Sequence, residues 1–421
     1  TLRRMHPADA ADALEALDYD TFEEAVELLG GQLPPGILIE LRDSYREDAV
    51  DMLPDRAVAQ ALDELDSDDA TTILEDLEDD RRERILEDLA PVDRAELERS
   101  LGYEEETAGR LMQTEFVAVP EFWTVGQTID HARTLGTELP EVFYDVYVTD
   151  PAHRLLGIVS LANLLRQPRE TPLEHIMSEP TTTLDTSTDQ EDVAFQFQKY
   201  SLASAPVTDI AGRLVGMITV DDMVDVMQSE HSEDLLALSN VSSADASDTV
   251  LETVKARLPW LAINLFTAFI ASAIIAMFEG AIEQVVALAI LMPVVAALGG
   301  NAGSQGLAVA VRAIASRQLG ATAARRAIMR EFLAAAINGL LIGAGVGLIA
   351  MFWFGDTGLG LVIAAAMFAT FLWAGLSGIL VPLGLKRLGA DPAVASSVFV
   401  LTLTDVMAFF SFLGLASLVL L

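Results

Sequence analysis

The feature that most limits how this chain can fold is the change of solvent it demands near Arg257. Of 63 acidic and 26 basic residues, six acidic (Glu279, Glu283, Glu331, Asp356, Asp391, Asp405) and seven basic ones (Arg312, Arg317, Arg325, Arg326, Arg330, Lys386, Arg387) follow that point. Residues 1–257 therefore hold 57 acidic against 19 basic residues, a balance of −38, and the remainder +1. That remainder contains five apolar segments, 258–278, 285–311, 328–354, 359–385 and 393–421. Each is long enough to cross a hydrocarbon core of roughly 30 Å as a helix. Lys255 and Arg257 precede the first, Arg317, Arg325 and Arg326 separate the second and third, and Lys386 and Arg387 separate the fourth and fifth. The alternate loops hold only Glu279, Glu283 and Asp356, so the positive-inside rule places the N-terminal half in the cytoplasm and the C-terminus outside a cell membrane.

Two places in the apolar part carry chemistry. The stretch VLTLTDVMAFFSF (400–412) holds one carboxylate, Asp405, and an ionised acid at mid-membrane costs roughly 2.5–3.5 kcal/mol even on lenient insertion scales. It reads either as a functional group or as a packing residue bonded to Thr402, Thr404 or a neighbouring helix. The second segment contains Pro293 and then Gly299, Gly300, Asn301, Gly303, Ser304, Gln305 and Gly306. A helix here is expected to bend or open near 299–306, which hydrocarbon tolerates only where backbone is buried in protein or lines a watery cavity. The alternative is a small-residue face for close helix packing. A membrane carboxylate with a polar break nearby describes a cation path.

The acidic half repels nucleic acid and attracts cations, and such acidity is also how proteins of salt-rich cells stay hydrated. With no cysteine, disulfides, thiolate metal sites and cysteine nucleophiles are excluded. The start, TLRRMHPADAADALEAL, lacks the apolar core of a signal peptide, and its missing initiator Met points to a trimmed chain. From Ala57, Leu and Ile recur at three- and four-residue steps with carboxylates between them, and LPPG (33–36), LPD (53–55) and APVD (90–93) punctuate short helices. An all-α superhelical domain is expected.

Between 108 and 228 the chain repeats: LMQTEFVAVPEFWTVGQTIDHA (111–132) is echoed by IMSEPTTTLDTSTDQEDVAF (176–195), and VTDPAHRLLGIVSLANLL (148–165) by VTDIAGRLVGMITVDDMV (207–224). Met112 and Met177 are 65 residues apart, and Gly157 and Gly216 are 59. Each unit reads strand, helix, strand, strand, helix, and the pair resembles tandem CBS (cystathionine-β-synthase) domains. That resemblance implies an adenosine ribose and phosphate site at Gly216, Ile218, Thr219 and Asp222. The first unit has Gly157, Val159 and Ser160 but Asn163 in place of the acid. Thr219 and Asp222 are also spaced as helix caps.

The whole chain, through RLPWL (257–261), MPVVAALGGNAGSQ (292–305), LGADPAVASS (388–397) and LTLTDV (401–406), resembles the MgtE family of magnesium channels and transporters. The implied fold is multi-domain: an acidic all-α N domain (1–104), an α/β CBS pair (105–170 and 171–229), a connecting "plug" helix (230–257) and a polytopic five-helix membrane domain (258–421). The resemblance implies a homodimer in membrane lipid with the pore between its two bundles, Mg2+ as the ion, and an adenine nucleotide such as ATP at the CBS pair. It places Asp405, Asn301, Gly299, Gly300 and Ser397 at the pore, with Gly303 nearby. It places sensor ligands for cytoplasmic Mg2+ at Asp68, Asp69, Asp189, Glu191, Asp222, Asp225, Glu230, Glu233 and Asp234. Ser201 and Thr72 stand where relatives carry acids, which implies fewer sensor ions.

Mg2+ sheds water reluctantly, so two Asp405 side chains with amide and carbonyl oxygens suit the hydrated ion. Clustered sensor carboxylates repel until cations neutralise them, so high Mg2+ is expected to close the pore. Two other readings stay open, a Na+- or H+-coupled exchanger and a nucleotide-sensing receptor. No His stands in a recognisable catalytic motif and no Walker-type loop is present, so an enzyme is not expected.

Overall fold

The computed structural model describes residues 2–136, 139–140, 142–241, 250–315, 317 and 321–421, and the chain divides into two compact units, Thr1–Glu230 and His231–Leu421. The first begins with eight helices: α1 (Pro7–Glu15), α2 (Tyr19–Leu29), α3 (Pro35–Glu40), α4 (Asp43–Met52), α5 (Asp55–Glu64), α6 (Ser67–Glu75), α7 (Asp79–Asp88) and α8 (Pro91–Leu101). Pro7, Pro35 and Pro91 stand in first turns, where a missing amide costs nothing, and Pro54 is the N-cap residue of α5. α1 packs on α3, α2 on α4, α5 on α7 and α6 on α8, the alternation of a superhelix. The Leu and Ile stripe closes a core that includes Phe22, Leu38, Ile73, Leu74 and Ile85.

A short α9 (Ala108–Leu111) leads to two three-stranded sheets. One has β1 (Ala118–Pro120) parallel to β2 (Asp145–Thr149), itself antiparallel to β3 (Leu155–Ser160). The other has β4 (Leu184–Asp185), β5 (Ser204–Thr208) and β6 (Leu214–Thr219) in the same arrangement. Helices α10 (Val125–Leu135), α11 (Leu161–Arg166), α12 (Gln190–Tyr200) and α13 (Val220–Leu238) complete the pair. Even the register shifts correspond, at Val148/Thr149 and Val207/Thr208.

The repeated Met and Gly have one explanation. Backbone of Gln113 exchanges two 2.9 Å hydrogen bonds with Met217 in β6, and Ser178 pairs likewise with Ile158 in β3. Each unit thus lends a segment to the other's sheet. A Cβ at Gly216 would lie 2.6 Å from Met112 Sδ and 2.8 Å from the Gln113 carbonyl, and one at Gly157 3.0 Å from the Ser178 carbonyl, so only glycine admits the exchanged segment.

The second unit holds α14 (Val250–Ala276), α15 (Glu279–Gln284), α16 (Ala287–Ala315), α17 (Ala321–Phe354), α18 (Thr357–Arg387) and α19 (Pro392–Val419). All but α15 are long and apolar enough to span a membrane. α18 is central, packing against α16, α17 and α19, while α14 packs on α19. Residues 250–257, assigned from sequence to the connecting segment, are the first turns of α14, which continues through Pro259. The connecting helix is instead continuous with the last CBS helix, as α13; residues 242–249 lie outside the described residues.

The expected bend or opening at 299–306 is absent, for α16 is helical from Ala287 to Ala315. Broken backbone hydrogen bonds cost several kcal/mol in hydrocarbon, and the glycines serve contact instead. A Cβ at Gly299 would stand 2.6 Å from Thr370 Cγ2, and one at Gly303 3.0 Å from Val400 and Thr404 methyl carbons. On α18, a Cβ at Gly378 would meet the Gly303 carbonyl oxygen at 2.9 Å and the Leu307 nitrogen at 3.0 Å. At Gly300 the nearest atom is Leu401 Cδ2, at 3.6 Å. Gly378→Ala should therefore lower the thermal midpoint of the purified protein, by the roughly 1–3 kcal/mol of an overpacked core. Gly300→Ala should leave it unchanged or raise it; equal midpoints would remove the close-packing account.

Candidate functional site: a membrane carboxylate and an acidic cluster

Asp405 lies in the middle of α19, half-buried, with no hydrogen bond or ion pair among the described residues. The threonines that could have satisfied it are engaged elsewhere: Thr402 Oγ1 donates to the Val398 carbonyl at 2.7 Å and Thr404 Oγ1 to the Leu401 carbonyl at 2.8 Å. One turn before it, Leu401 packs at Gly300, so the carboxylate and the polar segment of α16 are on neighbouring helices. Gly299 and Gly303 are buried in the helix interface, while Asn301, Ser304 and Gln305 are exposed on one side of α16.

Ser397 has a different surrounding from the one expected. It is buried, and its Oγ donates to Asn240 Oδ1 at 2.6 Å. Asn240 follows α13 in the left-handed conformation (φ 58°), a position Asn accepts readily at a helix end. Beside it Ala237 and Leu238 pack with Leu307 and Val311 of α16 and Ala393 and Val400 of α19. Asn240 was not legible as a site residue, because its role depends on a partner 157 positions away.

In the first unit, Asp68 and Asp69 occupy the first turn of α6, Asp221 and Asp222 that of α13, and Asp225 the next. Burial, then Asp222 and Asp69, push the Asp68 carboxyl well above the usual carboxylate range. Asp69 is pushed up to about 7, by burial first and then by Asp222, Asp66, Glu40 and Asp221. Asp222 rises to about 6 through burial and the charges of Asp221 and Asp225, although hydrogen bonds from Thr219 oppose the shift. Both helix N-termini carry positive partial charge that favours anions, yet repulsion and desolvation prevail. Asp66 and Asp221 were not singled out from the sequence, since one Asp in a chain with 63 acids looks like any other.

Asp189 caps α12, accepting from the Glu191 amide at 2.9 Å, and Gln190 Nε2 donates to Glu230 Oε1 at 2.6 Å, bringing Asp189, Glu191 and Glu230 to one end of that helix. Glu233 and Asp234 lie on the following turn of α13, where burial and then Asp391, the N-cap of α19, raise the Asp234 carboxyl. Among the described residues no three His, Asp or Glu side chains form a group able to hold a metal ion alone. At the suggested nucleotide site, Gly216 accommodates the exchanged segment, and in the first turn of α13 Asp222 reaches back to Thr219, its Oδ2 accepting from Thr219 Oγ1 at 2.7 Å and from the Thr219 amide at 3.3 Å.

This is the build of a multi-pass membrane transporter with a large domain pair that shares one helix with the membrane unit. Residues 292–415 match the family model described as a divalent cation transporter, 5–106 the MgtE intracellular N domain and 173–229 the CBS domain. The chain is 36% identical over 338 residues to the magnesium transporter MgtE of Thermus thermophilus (78% of this chain, 74% of that one). It is 30% identical over 403 residues to the Bacillus subtilis protein of the same name (95% and 87%). A crystal structure of the cytosolic domain of the Mg2+ channel MgtE in complex with ATP is similar at 34% identity and TM-score 0.50, covering 53% of this chain and 92% of that one. The chain belongs to the MgtE family of magnesium transporters.

The raised carboxyls make stability depend on pH. Between about 4 and 7 the folded state holds protons at Asp69 and Asp222 that the unfolded chain has released, so stability falls as pH rises through that window. Chemical unfolding of residues 1–230 in a chelator should show this decline, and Asp69→Asn should flatten it while raising stability at pH 8. An unchanged slope in the variant would show that Asp69 is an ordinary surface acid.

Proposed function

We propose that the chain forms a homodimeric, Mg2+-gated channel of the cell membrane, with the two Asp405 carboxylates facing one hydrated Mg2+ at the pore. The observation that carries this reading is the lack of any partner for Asp405 among the described residues, at mid-helix, beside a helix that exposes Asn301, Ser304 and Gln305. A charge left so in hydrocarbon is functional by default. Two carboxylates and several amide oxygens, with waters kept, match the octahedral preference of Mg2+ and its reluctance to dehydrate. The arginine and lysine distribution supports a cytoplasmic N-terminus and an extracytoplasmic C-terminus.

Gating follows from electrostatics. The acids at the N-termini of α6 and α13 repel one another, and hydrated Mg2+ among them would relieve that repulsion and stiffen the junction between the helical domain and the second CBS unit. α13 starts at this cluster, and Asn240, just past its end at Leu238, accepts from Ser397, so α13 is the lever. High cytoplasmic Mg2+ closes the pore and low Mg2+ opens it. ATP, which the related cytosolic domain binds, would sit at Gly216, Thr219 and Asp222 and would draw on the same carboxylate as the ion.

In proteoliposomes, Asp405→Ala should abolish Mg2+ flux with normal folding and assembly, and wild-type flux should follow the Mg2+ gradient without Na+ or H+ countermovement. Full flux in the variant removes Asp405 from the path, and countermovement makes the protein an exchanger. Asp68→Asn with Asp69→Asn should shift closure to higher Mg2+ concentration; unchanged closure would place the sensor elsewhere.

A further inference from the structure

Two kinds of face meet on α17. Three of its glycines, Gly339, Gly343 and Gly347, are turned to α18: a Cβ at Gly343 would lie 2.7 Å from the Ala364 carbonyl oxygen, and one at Gly347 2.7 Å from that of Gly360. Elsewhere Arg326, Arg330, Leu333, Ile337 and Leu340 follow at steps of four and three, one stripe of a helix, and all are exposed. Arg326 has no ion pair or hydrogen bond among the described residues, and Arg330 meets only Glu331 of its own helix, at 3.3 Å. At the far end Phe352 and Trp353 are 88% and 70% exposed. The 22 residue steps from Arg330 to Phe352 span about 33 Å of helix, close to the ~30 Å hydrocarbon thickness.

A face of this length requires an apolar solvent or a protein partner, and its chemistry separates the two. Helices that pair inside membranes do so through small residues, and here Gly339, Gly343 and Gly347 are spent on α18 while the stripe from Leu333 to Leu340 presents large side chains. At a two-fold axis the same patch meets itself, which would set these arginines against their copies. We propose that this face is an anionic-phospholipid site. The headgroup phosphate lies between the guanidinium groups of Arg326 and Arg330, and an acyl chain runs along Leu333, Ile337 and Leu340. Guanidinium forks suit phosphate oxygens, and the site belongs to the leaflet on the arginine side of the membrane.

The test measures lipid retained by the full-length protein, by native mass spectrometry, from mixed phosphatidylglycerol and phosphatidylcholine. Wild type should prefer phosphatidylglycerol, and R326Q/R330Q should lose about 30-fold of that preference, since each basic side chain near an anionic surface contributes about fivefold. R326K/R330K, which keeps the charge, should retain most of it and shows that loss in the glutamine variant is not misfolding. High salt should weaken the preference. Equal retention of the two lipids by wild type overturns the proposal, as does an unchanged preference in R326Q/R330Q. Displacement of the lipid by inorganic phosphate alone would make the site a free-anion site instead. A shift in the monomer–dimer ratio of R326Q/R330Q without change in lipid would assign the face to a second copy.

Discussion

Hydrocarbon offers no hydrogen bonds, and the membrane unit is arranged around that one constraint. A helix keeps its backbone satisfied whatever its sequence, so α16 stays intact through Pro293 and the glycines that follow. What the glycines change is distance. Gly299, Gly303 and Gly378 bring α16, α18 and α19 together until side-chain methyls of Thr370, Val400 and Thr404, and at Gly378 backbone atoms of α16, occupy the place a Cβ would take. The same constraint makes Asp405 informative: near water a carboxylate without a partner is routine, whereas here none of the described residues answers it.

The first unit works with the opposite shortage, too much charge of one sign. Carboxylates from two helix N-termini converge near Asp68, Asp69 and Asp222, where burial and repulsion outweigh the favourable helix dipoles. The arrangement keeps electrostatic tension at one end of α13, and hydrogen-bonded contact with α19 at Ser397 lies near the other.

The domain series was legible because each part carries its own periodicity. Apolar stripes at helical spacing, the CBS echo and the basic loops all follow from local chemistry, whereas the approach of Met112 to Gly216 and of Met177 to Gly157 emerges only on folding. The glycine run was legible only in part: composition identified a special segment but could not choose between opening and close packing. Ser397 and Asn240, or Asp234 and Asp391, were beyond reach because nothing local marks residues that become neighbours only after folding.

By itself, then, the sequence determined solvent and composition: which segments enter a membrane, which half carries the acid, where the repeats lie and that one carboxylate sits in an apolar span. Those properties depend on residue type and near-neighbour spacing. Tertiary structure alone decided that α16 is unbroken, that CBS segments are exchanged, that Thr402 and Thr404 leave Asp405 unanswered, and that six aspartates scattered over two distant stretches share one electrostatic field. Each depends on distances between residues far apart in the chain, which packing sets and local chemistry does not.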